Sequence, residues 1–331
     1  MTTTTDAPPF PQHIVGLWTL ASSMLHGGDE MLGTTKLFRT KGFLYDGRKI
    51  QLPMVSGNAI RGLWRRSCAL AFLDAYLEAG GEPLSMSAFY YLTSGGALKK
   101  GTDSGALDLA GAGELRRLIP FVGLFGGAGL GRIQPGKLYV DEAIPVCVET
   151  VPLLRRVWPG VEDAATAGVS IRDLVEVHGY SRQDDAKNEH WHRYLAPAAR
   201  EEARALIQRV EQEETAAPAG APQQMRYENI ELVTGTVLFH RWGFLWPATR
   251  DELAGLGAGL LRWAERPRVG GRTAVGHGNL LVEYRGVTPE TRLLTDGTEP
   301  IALWQDQGPD DALAAHVREN LDAIRAVLGA L

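Results

Sequence analysis

The order of the periodic segments limits the possible folds more than any other feature of this chain. Some segments have the strand period of two and others the helical period of 3.6. Along the chain they are a strand at 13–20, a helix at 59–79, strands at 137–148 and 236–246, a helix ending near Glu265, and a strand at 279–284. This repeated strand–helix–strand order predicts an α+β fold. We expect one sheet with two helices on one face, a ferredoxin-like or RNA-recognition-motif sandwich.

Local signals indicate where several segments begin, turn or end. Asp46-Gly47, between two strand-like runs at 41–51, predicts a β-hairpin. Thr249 and Glu252 have the spacing of a capping box at the start of a helix. Apolar residues at helical spacing predict a C-terminal amphipathic helix at 310–328. Polar or Gly-rich composition predicts loops or turns at 22–35, 93–114 and 121–131.

The expected domain organisation is one core with a single large insertion. Residues 1–11 are Thr- and Pro-rich and are expected to be disordered. Residues 181–227 are poor in core residues, and contain one charged helix at 197–214 and an Ala/Pro stretch. We therefore interpret 181–227 as an insertion, with 12–180 and 228–331 forming the core.

Composition indicates a soluble globular protein. Of the 331 residues, 44% are hydrophobic and 22% are charged, and the sequence has neither an apolar run of membrane length nor a signal-peptide pattern. The only two cysteines, Cys68 and Cys147, are too few for a disulfide framework or a cysteine zinc site. We expect both to be buried thiols in a protein of the reducing cytoplasm.

Charge is distributed unevenly although the net charge is only −5. Residues 36–66 contain eight basic residues and one acid, whereas residues 286–331 contain eight acids and three arginines. A negative net charge argues mildly against a nucleic-acid binder, but the basic segment is suited to a polyanion. A random fluctuation of surface charge is the alternative.

The segment 52–66 has the features of an anion site. It predicts the end of a strand, a tight turn and a helix capped by Ser56 or Asn58. Arg61 and Arg65 are four residues apart, on one face of the first helical turns. Backbone N–H groups, the helix dipole and two guanidiniums would converge there, and phosphate is the usual ligand of such a site. An ordinary strand-to-helix corner with solvated arginines is the alternative.

The segment 268–278 is a second candidate, because its glycines alternate with basic residues. Glycines let the backbone approach a ligand closely, and Arg268 and Arg272 favour an anionic one. A flexible loop between a helix and a strand is the alternative.

Other motifs lack a necessary component. Gly131 to Lys137 resembles a P-loop, but Leu138 stands where Ser or Thr would hold Mg²⁺, and a strand follows. His190 and His192 have no third ligand nearby. We therefore expect no cofactor and no metal, although a nucleotide-binding enzyme using Gly131 to Lys137 remains as an alternative.

Three motifs in a shared order resemble the RAMP superfamily. They are Ser-Gly-Asn-Ala-Ile-Arg-Gly-Leu-Trp-Arg at 56–65, Leu-Phe-Gly at 124–126 followed by Gly-Lys-Leu-Tyr-Val-Asp-Glu-Ala at 136–143, and Gly-Thr-Val-Leu-Phe at 235–239 with the Gly-rich segment 268–278. The resemblance is to the backbone subunit of multisubunit CRISPR effector complexes, which polymerises along the guide RNA, and it covers about residues 13–285.

The resemblance implies a role in RNA binding. Arg61 falls where the family has a helix lysine and Arg65 where it has a following arginine, so both would contact guide-RNA phosphates. The insertion at 181–227 would be a thumb that wedges between guide nucleotides. The implied partners are guide RNA, further copies of the chain in a helical filament, other effector subunits and target nucleic acid, with no membrane. Our candidate RNA-binding residues are Lys36, Arg39, Lys41, Ser56, Gly57, Asn58, Arg61, Arg65, Arg132, Arg182, Arg268, Gly270, Gly271, Arg272 and His277.

Cleavage depends on one aspartate in this family. Type III members cut target RNA with an aspartate in the loop between the first strand and the hairpin, a position that falls near Thr34 or Thr35 here. Asp29 is the nearest acid and is offset by several residues. A non-cleaving member of the type IV branch fits better than a type III-like endoribonuclease using Asp29, which remains as an alternative.

Overall fold

The secondary structure comes from a computed structural model that describes residues 13–32, 35–96, 109–129, 132–182, 195–216, 225–287, 290–295 and 308–331. In these residues the strands are β1 (His13–Leu20), β2 (Gly27–Leu32), β3 (Thr35–Phe38), β4 (Thr40–Tyr45), β5 (Arg48–Pro53), β6 (Gly127–Gly129), β7 (Arg132–Gln134), β8 (Leu138–Val140), β9 (Ile144–Pro145), β10 (Val175–Arg182), β11 (Met225–Leu232), β12 (Val237–Phe244), β13 (Leu280–Val287) and β14 (Glu290–Thr295). The α-helices are α1 (Gly57–Glu78), α2 (Met86–Ser94), α3 (Leu109–Leu118), α4 (Pro120–Phe125), α5 (Val151–Leu154), α6 (Pro197–Ala216), α7 (Arg250–Ala264), α8 (Pro309–Glu319) and α9 (Leu321–Gly329).

The larger sheet confirms the expected α+β fold. Its strand order is β14-β13-β1-β12-β8, and β9 also pairs with β12. β1 is antiparallel to both β12 and β13, and β8 is antiparallel to β12. Each of the two strand–helix–strand runs, β1-α1-β8 and β12-α7-β13, therefore skips one strand, as in a ferredoxin-like sandwich.

Local sequence explains where the two helices of the sandwich begin. The Ser56 hydroxyl accepts a hydrogen bond from Ala59 N at 3.3 Å and so caps α1. Thr249 and Glu252 form the predicted capping box at the start of α7. Gly57 allows α1 to start against β8, since a Cβ there would lie 2.2 Å from the Val140 carbonyl oxygen.

Aromatic side chains fill the space between the larger sheet and its helices. Trp64 of α1 packs edge-on against Trp242, Trp263 and Tyr284. The Tyr284 hydroxyl accepts from Trp18 Nε1 at 3.0 Å and lies 2.5 Å from His240 Nδ1. His240 is completely buried, and burial lowers its pKa to about 3, so its ring is neutral at physiological pH.

The opposite face of the larger sheet is covered as well. Val15, Val237 and Phe239 pack against Val146, Leu154 and Val161, which lie in and around α5 and the 3₁₀ turn Pro159–Asp163. Because both faces are covered, seven of the eight residues of β12 are buried, and Arg241 is partly exposed. None of the helices in the described ranges is both long and apolar enough to span a bilayer.

A smaller sheet has the order β10-β11-β3-β2. β10 and β11 are antiparallel from Val175↔Leu232 to Arg182↔Met225. β11 and β3 are parallel, with Asn229 opposite Lys36. The expected insertion at 181–227 begins and ends within the β10–β11 ribbon, and its helix is α6. The expected disordered segment 1–11 lies outside the described residues.

Several expected loops contain regular structure. The expected loop at 22–35 contains β2, and α2 and α3 enter the one at 93–114 from its two ends. The expected turn at 121–131 begins inside α4, where Pro120 occupies a first-turn position that needs no N–H donor. These elements were missed because they are short or contain many glycines and polar residues, so no clear apolar period marks them.

Two expected elements are interrupted instead of continuous. The strand expected at 137–148 is divided into β8 and β9. The C-terminal helix expected at 310–328 is divided at Asn320, whose φ and ψ are −113° and 15°. Asn320 Nδ2 donates to the His316 carbonyl at 2.8 Å, so the side chain competes with the helical hydrogen-bond ladder.

Candidate nucleic-acid interface

Arg61 of α1 turns inward. Its Nη2 donates to the Phe125 carbonyl at 2.6 Å, and its Nη1 donates to the Leu138 carbonyl of the edge strand β8. The guanidinium lies 5.5 Å from the centre of the Phe125 ring. Burial lowers the pKa of Arg61. The side chain thus covers an exposed strand edge and stacks on an aromatic ring.

Arg65 is buried more deeply, with only 6% of its surface exposed. Its Nε donates to the Leu92 carbonyl at 2.8 Å, its Nη2 to the Tyr91 carbonyl at 2.9 Å and its Nη1 to the Gly126 carbonyl at 2.6 Å. Burial, together with the nearby Arg61 charge, lowers the pKa of Arg65 to about 10, which leaves it charged at neutral pH.

These contacts correct the expected phosphate clamp at residues 52–66. Four of the five accepting carbonyls lie at the C-terminal ends of α2 and α4, where the dipole is negative and most carbonyl groups lack the next turn's N–H, although Tyr91 O also accepts from Gly95 N at 2.9 Å. Arg61 and Arg65 therefore face helix ends and a strand edge, not solvent. The two arginines join α1 to α2, α4 and β8.

The residues at the start of α1 make hydrogen bonds within the protein at this corner. The Ser56 N–H donates to His26 Nε2 at 3.3 Å, which ties the helix start to the segment before β2. Asn58 is exposed and, with Arg66 and Ser94, lines a groove of about 270 Å³ between α1 and α2. The eight basic residues of 36–66 consequently do not form one surface.

The hairpin β4–β5 carries three exposed basic residues of that segment, and a fourth, Arg66, lies on α1. Asp46 and Gly47 form its turn with φ of 48° and 70°, as the Asp-Gly signal predicted. Arg48 and Lys49 are exposed next to the turn. Lys41 is exposed too, and its Nζ lies 2.8 Å from Glu142 Oε1, which lowers the pKa of Glu142. Arg39 connects β3 to the hairpin, with its carbonyl accepting from Met54 N at 3.0 Å.

The Gly-rich segment 268–278, called here the glycine loop, is docked by its backbone. Val269 N donates to the Gly278 carbonyl at 3.0 Å, Gly271 N to the Leu25 carbonyl at 2.6 Å, and Gly278 N to the Ser23 carbonyl at 2.9 Å. Gly278 has a φ of +70°, and a Cβ there would lie 1.9 Å from the Val269 oxygen. Gly278 thus permits close packing within the loop, and Gly270 permits the packing on residues 23–25, since a Cβ there would lie 2.4 Å from the Leu25 oxygen.

Three polar side chains meet where the glycine loop touches β11. The Ser23 hydroxyl donates to Glu231 Oε2 at 2.8 Å. His277 Nδ1 lies 3.2 Å from Ser23 Oγ and 3.3 Å from Glu231 Oε2. Glu231 is only 1% exposed, and its Oε1 has no hydrogen-bond partner in the part of the chain that is described. The His178 ring of β10 lies 6.5 Å from the His277 ring.

The two arginines of the glycine loop lie beside this cluster. Arg268 Nη1 donates to the Thr273 carbonyl at 3.0 Å, within the loop. Arg272 has a positive φ of 57°, unusual for a residue with a side chain. The Asn229 amide is satisfied when its oxygen accepts from Arg272 Nη1 at 3.1 Å. The glycine loop therefore presents arginine and histidine next to the smaller sheet.

Four predicted site residues have described backbones only: Asp29 in β2, Lys36 in β3, Arg132 in β7 and Arg182 in β10. Through the β3–β11 register, Lys36 pairs with Asn229, so it lies on the strand next to the cluster. Asp29, the candidate catalytic residue, lies in β2 at the far edge of the same sheet. Gly131, His190 and His192 lie outside the described residues.

The remaining P-loop residues have a different arrangement from a nucleotide site. Lys137 Nζ lies 2.7 Å from Glu252 Oε2, and Glu252 is 4% exposed. The same carboxylate accepts from Thr249 N at 2.8 Å, and β8 follows Lys137 where a P-loop has a helix. Lys137 therefore neutralises a buried helix cap.

Sequence reasoning missed Ser23, Glu231, Asn229 and His178. The one usable signal was an acid between two apolar residues, in Ile230-Glu231-Leu232. A buried carboxylate costs free energy unless it is paired or hydrogen-bonded. In the described ranges, no group of three or more His, Cys, Asp or Glu side chains could hold a metal ion.

Comparison with known proteins shows a shared fold. No family model and no curated protein sequence matches the chain. Among solved structures, the chain is similar to a subunit of a type IV-B CRISPR complex, with a TM-score of 0.54 and 21% sequence identity. The similarity covers 88% of this chain and 96% of that chain. The α+β sandwich and its additions therefore correspond across most of both chains.

Proposed function

We propose that this protein is an RNA-binding backbone subunit of a CRISPR effector ribonucleoprotein, most similar to the non-cleaving type IV branch. The observation that carries the proposal is the shared fold with a chain of a type IV-B CRISPR complex over 88% of this chain. The RAMP-like motifs at 56–65, 136–143 and 268–278 support it independently.

The glycine loop is the RNA contact that the geometry favours. Its backbone approaches the neighbouring segment without side chains in the way, and it carries Arg268, Arg272 and His277, each of which is partly exposed. Arginine contacts to phosphates bind any sequence, so the guide would be held without being read. Reading of a target would belong to base pairing by the guide.

Several copies would line up on one guide, together with other effector subunits and the paired target. The acids Asp310, Asp311 and Asp322 of α8 and α9 would then face away from RNA or meet a neighbouring subunit. Asp29 lies in β2, between β1 and the hairpin β4–β5, several residues before Thr34 and Thr35, near which the catalytic aspartate of the type III proteins would fall. We therefore propose a complex that holds its target in the cytoplasm without cutting it through Asp29.

Purification of the complex tests the proposal. We would coexpress the chain with a guide RNA and measure its ultraviolet spectrum and its mass. Nucleic-acid absorbance with a ladder of large masses is expected. A clean monomer that does not bind RNA even at low salt would contradict the proposal.

The glycine loop is tested by a charge-matched pair of double variants. Arg268→Ala with Arg272→Ala should weaken RNA binding and flatten its salt dependence by about one unit of slope per lost phosphate contact. Arg155→Ala with Arg156→Ala removes the same charge from exposed positions next to α5 and should leave both unchanged. Equal effects of the two pairs would assign the interaction to net charge alone.

A further inference from the structure

We propose that His277 distinguishes RNA from DNA by accepting a hydrogen bond from a ribose 2′-hydroxyl, and that Glu231 and Ser23 are the residues that position it. The inference rests on the proposed RNA-binding function, and it names the chemical group that the glycine loop recognises.

The starting observation is a buried carboxylate with an unusual set of partners. Glu231 is 1% exposed, and its contacts in the described part of the chain are a serine hydroxyl and an imidazole, with no lysine or arginine. Burying a carboxylate is expensive unless hydrogen bonds and a partner compensate for the lost water. The contacts of Glu231 and Ser23 with Nδ1 therefore fix the orientation of the His277 ring.

The hydrogen bonds decide which ring nitrogen of His277 carries the proton. The single hydroxyl proton of Ser23 points at Glu231 Oε2, at 2.8 Å. Both oxygens near His277 Nδ1, at 3.2 and 3.3 Å, can then only accept. Nδ1 must be the donor, so in the neutral ring the lone pair lies on Nε2.

Nε2 is available for a ligand. It has no hydrogen-bond partner among the described residues, and the His277 side chain is 15% exposed. Arg272 belongs to the same loop, with its carbonyl accepting from His277 N at 3.4 Å, and the His178 ring lies 6.5 Å from the His277 ring, so an entering group would come next to basic side chains. The site therefore offers a hydrogen-bond acceptor at a surface that favours an anion.

A ribose 2′-hydroxyl is the donor that fits both properties. It lies on the backbone of RNA beside a phosphodiester, every nucleotide has one, and DNA lacks it. A base N–H would make binding depend on sequence, which conflicts with a subunit that holds any guide. Sequence-independent selection of RNA needs contacts of this kind.

The binding test compares RNA with the same sequence carrying 2′-fluoro groups, which keep an RNA-like sugar but cannot donate. The wild-type protein should bind the fluorinated strand and the DNA strand roughly three- to tenfold more weakly, as expected for one hydrogen bond per subunit. His277→Phe keeps an aromatic ring without the acceptor, and should bind RNA as weakly as wild type binds the fluorinated strand. His13→Phe, at an exposed position at the far end of β1 from Ser23, is the matched control and should retain the difference.

The positioning role has its own readout. Nitrogen NMR of the free wild-type protein should show His277 protonated on Nδ1. Glu231→Gln should allow the other tautomer and reduce the preference for RNA, whereas Ser23→Thr keeps the hydroxyl and should preserve it.

The outcomes separate this inference from the proposed function. If wild type binds RNA but binds the fluorinated strand equally well, or if His277→Phe weakens both strands equally, the inference is overturned while RNA binding stands. If no strand is bound, the proposed function fails. The inference is also overturned if the NMR shows the proton on Nε2.

Discussion

The closed corner, defined by Arg61 and Arg65, and the core residue His240 contrast with the open surface formed by the glycine loop at 268–278. The guanidiniums of the closed corner donate to backbone carbonyls, and the His240 imidazole is fully buried in the aromatic core. At the open surface, His277 keeps one ring nitrogen available and lies beside the arginines of a loop.

The difference comes from what surrounds each group of residues. α1 runs against two helix ends and a strand edge, each of which has carbonyls without partners, and arginine satisfies them well. The glycine loop satisfies its own backbone against residues 23–25, so its side chains are not needed there. The groups that lie opposite each arginine therefore decide whether it stabilises the fold or remains able to contact a ligand.

The largest expected effect is at Arg65. Arg65→Ala removes three hydrogen bonds, leaves buried carbonyls without donors, and should destabilise the protein by roughly 3–5 kcal/mol. Denaturant unfolding measures it. Arg66→Ala, at the exposed neighbouring position, should change stability by less than about 0.5 kcal/mol. Equal losses of stability in the two variants would show that the buried hydrogen bonds of Arg65 contribute no more than an exposed arginine.

The second prediction concerns pH and His240. Its pKa is about 3 in the folded protein and about 6.5 when unfolded, so the unfolded chain binds more protons between these values. The free energy of unfolding should therefore fall as pH drops from about 6.5 towards 3, by up to about 1.4 kcal/mol per unit from this group. His240→Gln should make the slope shallower by that amount.

The control for His240 keeps the imidazole. Tyr284→Phe removes the hydroxyl that lies 2.5 Å from His240 Nδ1, so it should lower stability at every pH without changing the slope. A wild-type slope equal to that of His240→Gln would show that the closed core does not exclude the proton.

The third prediction tests how tightly the open surface is docked. Gly278→Ala should cost roughly 2–3 kcal/mol, because the new Cβ meets the Val269 oxygen and the backbone has a positive φ. Gly276→Ala has a positive φ of +96° with nothing within 4 Å, so it should cost only about 1 kcal/mol. Thermal unfolding of the two variants isolates the packing contribution.

The smallest expected effect is at the hairpin β4–β5. Arg48→Ala with Lys49→Ala should leave stability within about 0.5 kcal/mol, since both side chains are exposed. If the hairpin also contacts RNA, the slope of binding against salt should fall by about one unit per lost contact. An unchanged slope would show that the hairpin makes no phosphate contact and that RNA binding does not extend to it from the glycine loop.

Much of the fold was predictable because its signals are local. Periodicity located β1, α1, β12, α7 and β13, and spacing identified the Thr249 cap. Residue type left Ser56 and Asn58 as the two candidate caps of α1, of which the structure has Ser56. The interruption at Asn320 was missed, because a side chain competing for one carbonyl leaves the apolar spacing on both sides intact. β2 was missed because its sequence, Gly-Gly-Asp-Glu-Met-Leu, has neither the alternation of apolar residues nor the β-branched and aromatic residues typical of a strand.

The candidate site was predictable only in part. Arg268, Gly270, Gly271, Arg272 and His277 were recognised together because they are neighbours in the chain. Ser23 and Glu231 were not, since they are 254 and 208 positions away from the residues they contact, His277 and Ser23 respectively. No local pattern links residues that only the sheet brings together.

The sequence by itself determined the α+β order of strands and helices, the hairpin turn and the need for glycine in the loop at 268–278. These follow from backbone preferences and from the spacing of apolar residues, which each segment carries alone. Tertiary structure alone decided that Arg61 and Arg65 face carbonyls and that a buried Glu231 holds His277. The direction of a side chain depends on which groups lie opposite it, and for these residues those groups come from distant parts of the chain.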